Sequence, residues 1–252
     1  MSWCDKLAST PSVGFKLDQH FAAGDVILHA LSPLLDKWVK GEKRPFRIDK
    51  SEAFNLEFTA DNGFHYGIDP SKIHVSFSHI MTAKAVSGGP PIMEMLSSPL
   101  PFSKLLPEVS RRLTEATLLI PSTKNRTLTR VGVIATTVVA EDDLPPGIIR
   151  FIKYLGRPWS GCVDGFTYQI ISEIDKTSRW SDRCIHFLSK PDDPEQLLTL
   201  KFDWQRSFVS GRPVTSDSLK EVLASAQKAS NQYFEELAEG SRFDEDLIGI
   251  TT

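Results

Sequence analysis

The sequence predicts an α+β protein built from two pseudo-repeated β-α-βββ-α units, whose strands merge into one curved antiparallel sheet with helices packed on one face. Three observations lead there. Runs alternating apolar and polar residues, the signature of half-buried strands, come in groups of three. Longer segments with apolar residues at helical spacing separate these groups. The order strand, helix, three strands, helix then occurs twice, with no residue-level identity between the copies. The first half spans 1–100 and ends in a linker; the second spans 101–252 and carries a bridging helix, the central strand and a long C-terminal helix.

Taken in order, residues 1–11 read as a loose lead-in, and Val13, Phe15 and Leu17 alternate with Gly14, Lys16 and Asp18 as a short strand. Asp25 can cap a helix with Ile27, Leu31, Leu34, Leu35 and Trp38 on one face, which Pro33 kinks or breaks near Ala30 and Gly41 ends. A meander follows: Phe54, Leu56 and Phe58, then Phe64, Tyr66 and Ile68, then Ile73, Val75 and Phe77. Loop length can be tested against this alternation. A two-residue turn at Asn62-Gly63 would put the apolar faces on opposite sides. A three-residue loop, Asp61-Asn62-Gly63, sets Phe58 opposite Tyr66 and keeps one apolar face, so Gly63 is expected in the left-handed conformation. The next connection then pairs Ile68 with Ile73 and Tyr66 with Val75.

Residues 87–101 are rich in Gly, Pro and Ser and read as the linker between halves. A helix from about Ser103 buries Leu105, Leu106, Val109, Leu113 and Ala116, with Pro107 in its first turn. The central strand is Thr127 to Val139. Val131, Val133 and Ala135 look one way, Leu128, Ile134 and Val138 the other, so it is expected to be covered on both faces. Arg130 and Gly132 interrupt it. A short helix follows with Ile148, Phe151, Ile152 and Leu155, stopped by Gly156 and Pro158. Three strand patterns come next: Phe166, Tyr168, Ile170; Ile185, Phe187; and Leu198, Leu200, Phe202, Trp204. The last helix carries Leu219, Val222, Leu223, Ala226, Tyr233, Phe234 and Leu237, with Ser218 and Glu221 as a capping box and Gly240 as its stop. By element order alone, this arrangement resembles the doubled fold of the TATA-box-binding protein or a helix-grip fold. Fold analogy carries no function.

At Thr129-Arg130-Val131-Gly132-Val133 the chain resembles a sporadically distributed bacterial family of uncharacterised proteins, which carry an Arg-Ile/Val-Gly-Leu/Val strand at this position. Their strand usually continues Arg-Tyr-x-Asn, whereas here Ile134-Ala135-Thr136-Thr137 follows. The resemblance extends to Leu198–Asp203 and to the closing helix with Tyr233-Phe234. It implies a bacterial, cytoplasmic setting and transfers no catalytic residue.

The totals limit the functional classes. With 252 residues, 40% hydrophobic and 24% charged, the chain can bury a sizeable core. A net charge of −3 argues against a generic nucleic-acid binder. Three cysteines fit a reducing compartment better than a disulfide framework. No secretory signal pattern and no run long enough to cross a bilayer is visible, so the cytoplasm is the expected location and no membrane partner is expected.

Candidate chemistry is thin. His65 and His74 share the polar face of the meander on neighbouring strands, about 7–8 Å apart between α-carbons, with Glu57 beyond. Such a group either binds a metal, works as acid and base, or is an ordinary solvated sheet face. Cys184 and His186 share a strand face, where a buried cysteine acting as apolar filler is the favoured reading. Arg130 either salt-bridges Glu173 or Asp203 or meets a ligand. Trp159, in a loop of small residues, either lids a pocket, anchors a partner or plugs the core. The densest basic stretch, residues 37–50 with Lys43, Arg44 and Arg47, is interrupted by acids and reads as a solvated helix end and loop. Gly88-Gly89 is followed by two prolines and builds no phosphate cradle. The expectation is a non-enzymatic cytoplasmic binding or interaction protein with a protein partner or self-association. It needs no cofactor and no metal. The alternatives are a small-molecule or metal-dependent pocket between sheet and C-terminal helix, lined by His65, His74 and Arg130, and nucleic-acid contact through 37–50, which the charge disfavours.

Overall fold

The computed structural model describes residues 3–6, 10–18, 30–52, 54–61, 63–79, 81–84, 92–95, 100–156, 165–192 and 197–242. Strands β1 (Thr10–Leu17), β2 (Phe46–Glu52), β3 (Asn55–Ala60), β4 (Phe64–Ile68), β5 (Lys72–Phe77), β8 (Thr127–Val139), β9 (Phe166–Lys176), β10 (Trp180–Lys190) and β11 (Leu198–Pro213) form one sheet. Its order is β2-β3-β4-β5-β1-β8-β11-β10-β9, and every neighbouring pair is antiparallel. A separate pair joins β6 (Met81–Lys84) to β7 (Ile92–Met95), and β7 lies within the stretch 87–101 that the sequence suggested as a linker. The helices are α1 (Trp3–Lys6), α2 (Ser32–Leu34, continued by a π-helical run Leu35–Gly41), α3 (Phe102–Leu119), α4 (Pro146–Gly156) and α5 (Ser216–Glu239).

The meander forms as its alternation requires. Phe58 pairs with Tyr66, Ala60 with Phe64, Tyr66 with Val75 and Ile68 with Ile73. Gly63 has φ +104, and a Cβ there would lie 2.6 Å from the Ser78 carbonyl oxygen, so the turn admits only glycine. Phe58 and Tyr66 stack at 4.8 Å, and Trp38 packs on both while its Nε1 donates to Glu115 on α3.

One face of the sheet is buried against α3 and α5. In β1 the buried positions are Pro11, Val13, Phe15 and Leu17, and in β8 they include Val131, Val133, Ala135 and Val139. α5 covers this face with Leu219, Val222, Leu223, Phe234 and Leu237. Each such side chain contributes roughly 1.5–3 kcal/mol on burial. Thr215 Oγ1 caps α5 by accepting from Ser218 N, one turn earlier than the Ser218/Glu221 box suggested, and Gly240 closes the helix at φ +90.

Several expectations are overturned. β8 is central, but among the described residues helices cover only one of its faces, and Val138 is 56% exposed on the other. The pleat explains this, because every helix that packs on the sheet approaches the Val131–Val133 side. In β10 the buried set is Asp182, Cys184, His186 and Leu188, so Ile185 and Phe187 fall on the open face. Residues 3–6 are no loose lead-in: Trp3 Nε1 donates to the Phe234 carbonyl and its backbone N to Glu235, which straps α1 to α5. The basic stretch contains strand β2, unrecognised because an edge strand with six exposed residues shows no apolar alternation. Pro107 lies beyond the first turn of α3. Asp25 and Ile27 fall outside the described residues.

The polar side chains buried on the helix side include an ion pair and a histidine. The Arg206 guanidinium grips Asp182 through two bonds, Nε to Oδ1 at 2.7 Å and Nη2 to Oδ2 at 2.6 Å. Its third arm donates to Ser225 of α5, and the rings of Trp180 and Trp204 lie 4.8 and 5.3 Å from its carbon. His186, 9% exposed, has its pKa pushed down to about 4 by burial. Removing Asp182 with Asp182→Ala strands the Arg206 charge and is expected to cost about 3–5 kcal/mol in urea unfolding. His186 binds its proton more weakly folded than unfolded, so stability falls as pH drops below the unfolded value of about 6.5 and keeps falling to about 4. That loss amounts to about 3 kcal/mol. It is expected to flatten in His186→Gln when unfolding is measured across that pH window.

Candidate functional site

The open face of the sheet follows from the pleat. With Val13, Phe15, Phe58, Tyr66 and Val75 turned to the helices, Gly14, Lys16, Glu57, His65 and His74 must face away. The registers assemble a row across this face: Lys50, Glu57, Gly67, His74, Gly14, Gly132, Gln205, Arg183 and Glu173 are successive cross-strand partners. Next to it, Lys72, Lys16, Arg130 and Ser207 form a second row. A depression of about 350 Å³ lies over Gly14 and Gly132, where the sheet has no side chains.

The two glycines differ. A Cβ on Gly14 would approach His74 Cβ to 3.1 Å, whereas one on Gly132 would meet nothing closer than 3.7 Å and point into the depression. Gly67 is a third case: its Cβ would sit 2.1 Å from His74 Cε1, so the imidazole lies where a side chain at 67 would be. The sheet beneath desolvates that ring and lowers its pKa, opposed by Asp69 and Glu57, while the outer side of His74 remains exposed.

Three cations, Lys16, Lys72 and Arg130, line the depression, and Arg183 joins them as the cross-strand partner of Gln205. Arg130 Nη1 donates to Gln205 Oε1 at 2.8 Å, and Arg183 donates to the same oxygen through Nε at 3.1 Å and Nη2 at 3.0 Å. Gln205 Nε2 in turn donates to Asp203 Oδ2. Two guanidinium groups therefore converge on one neutral amide oxygen, and neither has a carboxylate within ion-pair distance among the described residues. Lys16, facing Arg130 across β1 and β8, likewise has none, and Lys72 has Asp69 only at 3.9 Å. Burial and the Arg183 charge lower the Arg130 pKa, and burial raises that of Asp203. A guanidinium keeps its proton throughout. The arrangement is an excess of donors and positive charge at the centre of a sheet face that no described helix covers.

The expected site residues are partly gathered here. Glu57, His74 and Arg130 lie on this face, with Glu57 and His74 separated by Gly67. His65 sits one row away, its Nδ1 3.0 Å from Thr59 Oγ1. None of them lies between the sheet and α5, where a pocket lined by His65, His74 and Arg130 was placed, because the pleat directs all of them to the opposite face. Arg130 bonds Gln205 and not Glu173 or Asp203. Trp159 lies outside the described residues. No group of three or more His, Cys, Asp or Glu side chains among the described residues is placed to hold a metal ion. In the basic stretch, Arg44 pairs with Glu42, Asp61 and Glu115, Arg47 with Asp49, Lys37 with Glu115, Lys40 with Asp36 and Lys50 with Glu52. Lys43, at φ 58, has no such partner.

Lys16, Lys72, Arg183 and Gln205 escaped the sequence reading. Their parity was available from the apolar alternation beside them, but the strand order that makes them neighbours was not. No protein-family model matches the chain, and no curated protein matches it.

Gly67→Ala drives a methyl into the His74 ring, which can swing outward, so it is expected to displace the His74 NMR signal at a cost of about 0.5 kcal/mol. Gly132→Ala has room for its methyl and is expected to leave that signal in place.

Proposed function

We propose that this chain is a non-enzymatic, cytoplasmic binding protein whose open sheet face takes an acidic segment of a protein partner. The carrying observation is the convergence of Arg130 and Arg183 on the neutral Gln205 oxygen, with Lys16 alongside and no carboxylate within ion-pair distance among the described residues; Asp203, whose charge acts on both arginines, accepts from Gln205 instead. Guanidinium groups bond carboxylates roughly twice as strongly as neutral acceptors, so a partner's carboxylate is the stronger acceptor to bring to these arms. Cys4 and Cys184 are both free and buried, which fits a reducing compartment.

The same registers support reading the sheet as a doubled plan. A rotation about the Gly14–Gly132 pair would carry His74 to Gln205, Gly67 to Arg183 and Glu57 to Glu173, each pair being equally placed in its half. β2 has no counterpart in this scheme. On this reading the element order resembles that of the TATA-box-binding protein, and the partner sits on the axis between halves. Nucleic-acid contact through 37–50 is the weaker reading, because Arg44, Arg47, Lys37, Lys40 and Lys50 already have carboxylates, and phosphate binding needs uncompensated charge.

Titration calorimetry with a short polyglutamate peptide at low salt tests the proposal. Arg130→Glu is expected to weaken binding roughly tenfold or more. Gln205→Glu supplies the site with its own carboxylate and is expected to abolish peptide binding, although it also removes the amide donor to Asp203. Lys43→Glu is expected to leave peptide binding unchanged. Absence of peptide binding, or equal losses for Lys43→Glu and Arg130→Glu, would overturn the proposal; duplex DNA binding lost on Lys43→Glu would favour the nucleic-acid reading.

A further inference from the structure

On the opposite side of the sheet, the edge under α4 and the end of α5 is incompletely closed. The helix-facing residues of β9, Phe166 to Ile174, are only half-buried, unlike their counterparts on β10. A cavity of about 280 Å³ remains there, walled by Ile148 and Phe151 of α4, Ile170 of β9, Leu188 of β10 and Leu237 of α5. Its polar part is a cluster of three groups. His186 Nε2 lies 3.0 Å from both Ser172 Oγ and Tyr233 Oη, and the two hydroxyls are 3.4 Å apart.

The hydrogens in this cluster can all be placed only by using the long 3.4 Å contact. A neutral imidazole nitrogen either accepts one hydrogen or donates one. If Nε2 accepts from one hydroxyl, the other hydroxyl has only an oxygen 3.4 Å away. If Nε2 donates to one hydroxyl, both hydroxyl hydrogens remain to be placed over that same long contact. In either state at least one O–H lacks a well-placed acceptor within the cluster, and all three groups line the cavity. The charge state is also set. Burial lowers the His186 pKa and raises that of Tyr233, so the cluster is neutral. Of the charged groups lining the cavity, Arg242 is held by Glu236 at 2.5 Å and lies over the Tyr233 ring at 5.0 Å, while Glu173 is exposed.

We propose that this cavity binds a small, neutral, apolar molecule carrying one hydrogen-bond acceptor, such as a ketone or ester carbonyl, which takes the spare hydroxyl hydrogen of the Ser172–His186–Tyr233 cluster. The volume is at the small end of ligand pockets, which suits a single ring or a short chain. The site lies across the sheet from the cationic depression and does not depend on it.

Methyl NMR of the full chain, titrated separately with acetophenone, ethylbenzene and benzoate, tests this. Acetophenone is expected to shift the methyl signals of Ile170, Leu188 and Leu237. Ethylbenzene, of like shape without the acceptor, is expected to bind roughly tenfold more weakly. Benzoate is expected to be weaker than acetophenone, because its charge would be desolvated without a free counter-charge. The double variant Ser172→Ala with Tyr233→Phe should lose the preference for acetophenone; if it does not fold, the wild-type comparison decides. No shift at these methyls, equal affinity for acetophenone and ethylbenzene, a preference for benzoate, or a folded double variant that keeps the preference would overturn the proposal.

Discussion

The pairing of β1 with β8 is the contact on which the rest of the molecule depends. Two segments more than a hundred residues apart meet in the order Val13–Val133, Gly14–Gly132, Phe15–Val131, and through them nine strands become one sheet. Register leaves little freedom here. A slip of β1 by one residue would turn Val13 and Phe15 away from the helices and bury Lys16. The burial of four apolar side chains under α3 and α5 therefore also places two glycines back to back on the other face. Core and depression are two sides of a single register.

Charge on this molecule is meaningful only by location. A net −3 conceals two arrangements of opposite character. On the helix side, Arg206 is bidentate to Asp182, bonded to Ser225 and flanked by two tryptophan rings, so its donors are spent on structure. On the open side, Arg130 and Arg183 divide one amide oxygen between them. The same side chain is a structural element where a carboxylate was supplied and a free donor where glutamine stands instead. Residues 37–50, the most basic part of the sequence, are largely neutralised, by the nearby acids Asp36, Glu42, Asp49 and Glu52 and by Glu115 and Asp61, which come from a distant helix and a hairpin turn.

The two sites differ in the kind of partner they address. The sheet centre is wide and charged, and no described helix covers it, which suits the segment of another chain proposed for it. The cavity beside β9 is small, largely apolar and incompletely closed by the helices. It exists because β9 is the edge strand and α4 and α5 leave its inner residues half-buried.

Local pattern determined much of this structure. Apolar alternation set the meander and its three-residue turn, because period and loop length together permit only one register that keeps Phe58, Tyr66 and Val75 on a common face. Helical spacing set α5, and its glycine stop follows from the left-handed conformation that residue 240 adopts. That β8 would be central was readable; that the described helices cover only one of its faces was not, since an isolated strand with apolar residues on both sides does not show where helices will pack. β2 was invisible because an edge strand has only one neighbour and no buried face. The sites lay further from reach. Parity placed Glu57, His65 and His74 correctly on one face, but Lys16, Arg130, Gln205 and Arg183 become neighbours only through pairings among β1, β8, β10 and β11. The Ser172–His186–Tyr233 cluster joins two strands to a helix. Sequence specifies what each segment prefers on its own; which segments meet is decided by the burial they can share, and that quantity exists only in the folded chain.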